Sequence, residues 1–385
     1  MHHHNTICHA LLKAIPRYRF DRLVDAHRGG YRDRDLSFWS QFVALVHAQL
    51  SGAQSLRHLI AALESHDNLL YHLGMGEVRR STLSDANRDR PVAPFKAVFD
   101  YLLTKLHGGL AGEAREACRL IDATVLPLNA TLSQWAHVGT KSSAAKLHLV
   151  YDPAAACPTY FAITPARVND ITVAKTMPIE PGATYVYDLG YYDYAWWASL
   201  DAQGCRIVTR FKKNTPLALK HTRRVPRGEA DILSDRVGLL PVRLASSRKN
   251  PFSKPVREVC VRIETGKVLR ILTNDLKATA REIADLYKRR WQIELFFKWV
   301  KQNLRIKTFI GTSENAVKIQ IIVALIAFLL LRLAHQPYAT IAVLKAFTRK
   351  VHSNLMHRKS VGEMLVPHRD PPVKTLQLSL SLAYA

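Results

Sequence analysis

From Ile321 to Leu331 the chain reads IIVALIAFLLL, with no polar side chain. Such a run has two possible homes, lipid or the interior of a protein. A spanning helix needs roughly 20 apolar residues, and this run is shorter, preceded by Lys318 and Gln320 and closed by Arg332. The expectation is a helix over about 316–334 buried in protein, so the remaining chain must supply a core large enough to hold it. With 385 residues, 48% of them hydrophobic, it can. That composition excludes a disordered or fibrous chain and suggests two or three domains.

Residues 1–112 read as helical. Phe38, Phe42, Leu45 and Val46 keep helical spacing until Ser51 and Gly52 interrupt it, and Leu56, Leu59, Ile60 and Leu63 resume it. Phe95, Val98, Phe99, Leu102, Leu103 and Leu106 line one face of a further helix that Gly108-Gly109 ends. Between them lies GEVRRSTLSDANRDRP, readable either as a basic DNA-docking connection or as a solvated linker. From about 115 the texture changes. CRLIDAT, AAKLHLVYD, TYFAIT, TYVYDLG and CRIVTRF are short strand-forming runs, with helical intervals at about 165–175 and 192–202. Three closely spaced strands, then helix, strand, helix and strand, predict hairpins first and parallel crossovers afterwards, in an α/β architecture. Residues 215–268 form a basic, Pro-rich insert, 269–276 a strand closing it, and 278–304 a long helix of good helix formers. Residues 339–385 read as a basic tail.

Lys and Arg number 55 against 31 Asp and Glu, a net charge of +24, which calls for a polyanionic partner, most simply nucleic acid. The five cysteines are scattered without zinc spacing, as in a reduced, cytoplasmic protein. His2-His3-His4 receives no functional weight.

Two aspartates, Asp122 and Asp188, each end an apolar strand. Alone, either could cap a helix, pair with a cation or bind a metal. On neighbouring strands of one sheet, they would lie within bridging distance of one cation. In LYKRRWQIELFFKWVKQNL, the spacing of Tyr287, Arg290, Glu294 and Lys301 puts all four on one side of a helix. That pattern fits either a surface stripe of ion pairs or a metal-binding glutamate beside phosphate-binding groups. The conjunction of three carboxylates with strong positive charge suits Mg²⁺ and phosphoryl transfer. Lys146 and His148 alternate on one strand and face either the site or, as is more common for these residues, a wet sheet face; Asp152, Asp170 and Asp193 are expected in turns or caps, and Trp196, Trp197 and Trp291 as core or interface aromatics.

The chain resembles the DDE transposases of insertion-sequence family four. Tyr287, Arg290, Glu294 and Lys301 match the signature Y-x2-R-x3-E-x6-K without a gap, and Asp122-Ala-Thr124 and Asp188-Leu-Gly190-Tyr191 match the two Asp motifs. FWSQFVALVHAQLSG and STLSDAN resemble the helical domain that precedes some of these catalytic cores. The resemblance implies an RNase H-like catalytic core at 113–338, with a mixed five-stranded sheet, helices and a basic strand-rich insert at 215–268. An all-helical DNA-binding domain at 1–112 would precede it. Asp122, Asp188 and Glu294 would be the metal ligands, and Tyr287, Arg290, Lys298 and Lys301 would grip DNA. The implied function is binding of terminal inverted repeats and Mg²⁺- or Mn²⁺-dependent cleavage and strand transfer. It would act on double-stranded DNA as a homodimer in the cytoplasm, at the nucleoid, with no membrane and no small-molecule cofactor. A hydrolytic nuclease of the same architecture and a catalytically silent DNA-binding inhibitor are the alternatives. Relatives stack an aromatic of the insert on a flipped base, whereas Phe252 is the only aromatic in this insert.

Overall fold

Serine caps and glycine stops punctuate the N-terminal segment into α1 (Ile7–Leu12), α2 (Arg17–His27), α3 (Phe38–Ser51), α4 (Leu56–Glu64), α5 (Asp67–Leu70), α6 (Arg80–Asp89) and α7 (Ala93–Gly108). Ser37 caps α3 by accepting from the Ser40 amide at 3.0 Å, and Gly52 at φ 77° ends it. The computed structural model describes residues 5–32, 35–108, 117–129, 134–139, 142–226, 228–243, 249–304, 306 and 309–366. The basic segment before α7, expected as a connection, holds α6, because Leu83, Ala86 and Asn87 give it a face to bury. Asn87 accepts from Gln41 of α3 at 2.8 Å. Arg90 is a core residue rather than a DNA contact. It is 2% exposed, donates to Gln41 at 3.0 Å and stacks over Phe38 at 4.4 Å.

The second part is a sheet built from β1 (Cys118–Leu128), β2 (His137–Gly139), β3 (Ser142–Asp152), β4 (Cys157–Pro165), β5 (Thr184–Tyr187), β6 (Arg206–Arg210), β7 (Ala218–Thr222), β8 (Ile232–Leu239), β9 (Val256–Arg262) and β10 (Val268–Thr273). Helices α8 (Asp170–Ala174) and α9 (Tyr194–Ala202) connect its central strands. The order is β2-β3-β1-β5-β6-β10-β9-β8-β7, with β4 on β3. Strands β4, β3 and β1 pair antiparallel, and β1, β5 and β6 pair parallel, which gives the RNase H-like arrangement. The insert does not stand apart. Its strands β7 to β9 continue the same sheet through β10, which covers the otherwise open edge of β6. Side chains alternate between faces, so Leu120, Val186 and Val208 join the core beneath the later helices. Ile121, Tyr185 and Ile207 pack with Trp197 on the opposite face.

After β10 the expected single long helix is two, α10 (Ala280–Arg289) and α11 (Trp291–Asn303), joined at Arg290. There the Arg290 amide bonds the Tyr287 carbonyl at 3.1 Å, a three-residue step that tightens the ladder. Thr279 and Glu282 start α10 with a reciprocal capping box.

The apolar run lies in α12 (Glu314–His335), a helix long and apolar enough to cross a membrane by length and composition. Burial rather than length decides its home, since 83% of its apolar window is enclosed by protein. It packs against α1, α3, α6 and α7, and its Phe328 ring lies 5.0 Å from Phe296 and 5.2 Å from Trp299 of α11. The expected tail carries α13 (Leu344–Asn354) and α14 (Val361–Leu365), while 367–385 lie outside the described residues. The Ile7 and Cys8 amides bond the His357 and Leu355 carbonyls at 3.1 and 2.8 Å. The helical layer is therefore assembled from both ends of the chain.

Candidate active site

Strands β1 and β5 run parallel, with Leu120 opposite Val186. Asp122 and Asp188 each lie two residues beyond that pair, so the register itself sets them side by side where parallel pairing stops. The Ala123 amide donates to Asp122 Oδ1 at 2.8 Å. The Gly190 amide donates to Asp188 Oδ1 at 2.8 Å, closing a turn directly after β5. From the other side, the first turn of α11 brings Glu294. Arg290 bonds Glu294 Oε1 at 2.5 Å and lies 3.7 Å from Asp122 Oδ2. Among the described residues no three acidic, His or Cys side chains enclose a single point. Here the guanidinium stands between two of the carboxylates.

Asp122 is pushed up to about 6, first by burial, then by the charges of Asp188 and Glu294, against the pull of the Ala123 amide and Arg290. Burial also raises the Tyr287 phenol, which Arg290 counters. Arg290 lies 5.7 Å from the centre of the Tyr287 ring. Lys301 donates to Thr124 Oγ1 at 2.5 Å, tying α11 to β1. Lys298 is exposed at the rim. A cavity of about 390 Å³ opens between Asp122-Ala123-Thr124 and Glu294, Phe297, Lys298, Lys301 and Gln302. All seven residues singled out for the site thus cluster at one end of the sheet.

Some expectations fail here. His148 is wholly buried and Lys146 is 14% exposed, because α8 covers that end of the sheet and Asp170 pairs with Lys146 at 2.9 Å. Trp196 and Trp197 are core residues, but Trp291, beside Arg290, is 57% exposed. Phe252 is 4% exposed, which leaves the insert's aromatic unable to stack on a base from where it sits. Gln302 escaped the sequence reading, since it adjoins Lys301 without belonging to the signature's spacing.

Residues 113–330 match the family described as Transposase DDE domain, and 3–76 match a domain of unknown function, DUF4372. A Sinorhizobium fredii protein named as transposase y4zB is 40% identical over 294 residues, covering 76% of this chain and 80% of the relative. A Geobacillus stearothermophilus protein named as a transposase for insertion sequence element IS5377 is 27% identical over 339 residues, covering 86% and 85%. The cryo-EM structure of a piggyBac transposase synaptic complex with hairpin DNA covers 93% of this chain and 80% of its own at a TM-score of 0.44 and 12% identity. The chain belongs to the transposase DDE domain family.

Proposed function

We propose that this chain binds the terminal inverted repeats of its own insertion sequence, cuts them and joins them to target DNA in a divalent-cation-dependent reaction. One observation carries the reading: the parallel register sets Asp122 and Asp188 side by side at the end of the sheet, and Arg290 bridges Asp122 to Glu294 of α11. Three carboxylates at one end of the sheet form an all-oxygen donor set, which suits Mg²⁺, with Mn²⁺ as a substitute. Those three side chains would hold the cation, which when bound supplies polarisation of phosphoryl oxygens and activation of the attacking oxygen.

Binding and alignment fall to the neighbouring residues. Lys298 and Lys301 offer ammonium groups at the cavity to phosphates of the DNA end. The Arg290 guanidinium, 17% exposed by its side chain, would meet a phosphate oxygen of the seated DNA end. Tyr287 backs that guanidinium. The reaction is in-line displacement at phosphorus: an oxygen of water forms the new P–O bond as the 3′-bridging oxygen departs. The freed 3′-hydroxyl oxygen then bonds a target phosphorus and gives up its proton as the target's 3′-bridging oxygen departs and is protonated. We assign end recognition to the helical layer, where Arg19, Arg22 and Arg79 are exposed, and coordinated cutting of two ends to a homodimer at the nucleoid.

The test uses full-length protein and a plasmid carrying the DNA that flanks the gene. Breaks at the element's ends that need Mg²⁺, vanish with EDTA and are lost in Asp188→Asn, together with joined products, are the expected result. Metal-independent binding with no breaks in any condition would replace this reading with a silent DNA-binding protein.

A further inference from the structure

Gly190 follows Asp188 by two residues, and the space its missing methyl leaves is bounded by carboxylates on both sides. A Cβ there would lie 3.1 Å from Asp188 Oδ1 and 3.3 Å from Asp170 Oδ2. Asp170, the first residue of α8, belongs to none of the groups assigned above. Lys146 on β3 holds its Oδ1 at 2.9 Å and anchors its own ammonium on the Val168 carbonyl at 2.8 Å. His148 Nδ1 lies 3.7 Å from the same oxygen, while His148 Nε2 contacts Thr164 Oγ1 at 2.9 Å. The partners on Oδ1 leave Oδ2 turned towards Gly190. Asp170 is 28% exposed by its side chain, so water reaches it.

A second observation points to the same place. Tyr191 is 0% exposed, and its hydroxyl has no hydrogen-bond partner among the described residues. Burial first, and then the charges of Asp170, Asp122 and Asp188, hold that phenol well above its ordinary range. One buried phenol thus feels the charge of Asp170 together with those of two of the three proposed ligands.

We propose that Asp170 is an outer-shell positioning residue of the cation site, a carboxylate that accepts hydrogen bonds from water on a cation held by Asp188, with Gly190 keeping the space between them open. The proposal rests on the DDE reading of Asp188. Mg²⁺ and Mn²⁺ retain several waters when carboxylates bind them, and those waters need acceptors. Outer-shell partners of this kind are worth about 10- to 100-fold in metal affinity. Lys146 fixes which oxygen of Asp170 is available and stays on the far side of the carboxylate from Gly190.

The experiment is Mn²⁺ titration of the full-length protein without DNA, read by the free-ion electron paramagnetic resonance signal. Asp170→Asn keeps the shape of the side chain and removes its charge. About a 10-fold weaker Mn²⁺ affinity is expected, with unchanged metal-free binding to end DNA. Asp170→Glu should recover part of the loss, and Gly190→Ala, which crowds both carboxylates, should weaken Mn²⁺ binding as well. Asp188→Asn is the reference. If it weakens Mn²⁺ binding while Asp170→Asn and Gly190→Ala do not, the outer-shell role is overturned and the DDE reading stands. If Asp188→Asn also leaves Mn²⁺ affinity unchanged, the DDE reading fails first. A lower melting temperature at unaltered Mn²⁺ affinity would make Asp170 a brace for α8 and nothing more.

Discussion

Arg290 is the residue on which the site's charge balance turns. It is 17% exposed by its side chain, and its positive charge is shared between Glu294 and Asp122. Asp188→Asn should abolish strand cleavage while leaving end binding nearly intact, as gel-shift and cleavage assays on one DNA would record. Equal loss of both would make the aspartate structural. Lys301→Ala should weaken binding and flatten its dependence on salt by about one unit of logarithmic slope, because one fewer phosphate counterion is released. An unchanged slope would remove Lys301 from the DNA contact. The three carboxylates and the basic helix were legible in the sequence because their chemistry lies in residue type and helical spacing. Asp170 was not legible as a neighbour of Asp188. Its closeness depends on the short helix α8 folding back over the end of β3, which no local pattern announces. Lys146 and His148 misled for the same reason, since alternation predicts that they share a face but not what covers it.

At the scale of elements, the insert shows where apolar patterning stops working. Strands β8 and β9 do not announce themselves by apolar alternation because some of their inward positions carry charge. Arg257, fully buried, is bonded twice by Asp235 at 2.8 and 2.7 Å, and Glu258 is held by Arg236 at 2.6 Å and by Arg270. Such strands pair across the sheet by ion pairs. Asp235→Ala, which strands a buried guanidinium, should cost on the order of 3–5 kcal/mol in urea unfolding. Replacing Asp235 and Arg257 together with apolar residues should cost much less. Helix α3 carries a different liability. His47 is 2% exposed, and burial, with a smaller push from His66, lowers it from 6.5 to about 4. The unfolded chain therefore takes up a proton at this position before the folded chain does. His47 contributes stability that is present in full above pH 6.5 and drains away as pH falls towards 4, by at most about 3 kcal/mol. A His47→Gln variant should lose less stability than the wild type over that interval, and parallel pH profiles would contradict the assignment.

Across the whole molecule, α12 decides what counts as a unit. The sequence placed it in a buried core and at the end of the catalytic region, yet it fills the helical layer built by the first hundred residues while touching α11. The break in texture near 115 was readable as a change of period from helix to strand. The return of the chain to its own beginning was not, because the faces of α3 and α12 are apolar nearly all round and name no partner. Residues 1–112 expressed alone should therefore lack cooperative unfolding and exchange amide hydrogens quickly, and a fragment carrying 309–366 supplied in trans should restore protection. Sharp, independent melting of 1–112 would show that α12 is dispensable to that layer.

Protein synthesis runs from one end, and the helices that emerge first cannot bury their apolar faces until α12 to α14 have left the ribosome. A gene copy shortened by a stop codon before α12 would yield neither a working enzyme nor a folded competitor, only chain for the proteases. Loss of activity by truncation and loss by substitution would then have opposite consequences for the surviving copies in the same cell. On the proposed function, only a full-length, chemically silent chain would still occupy the ends they need.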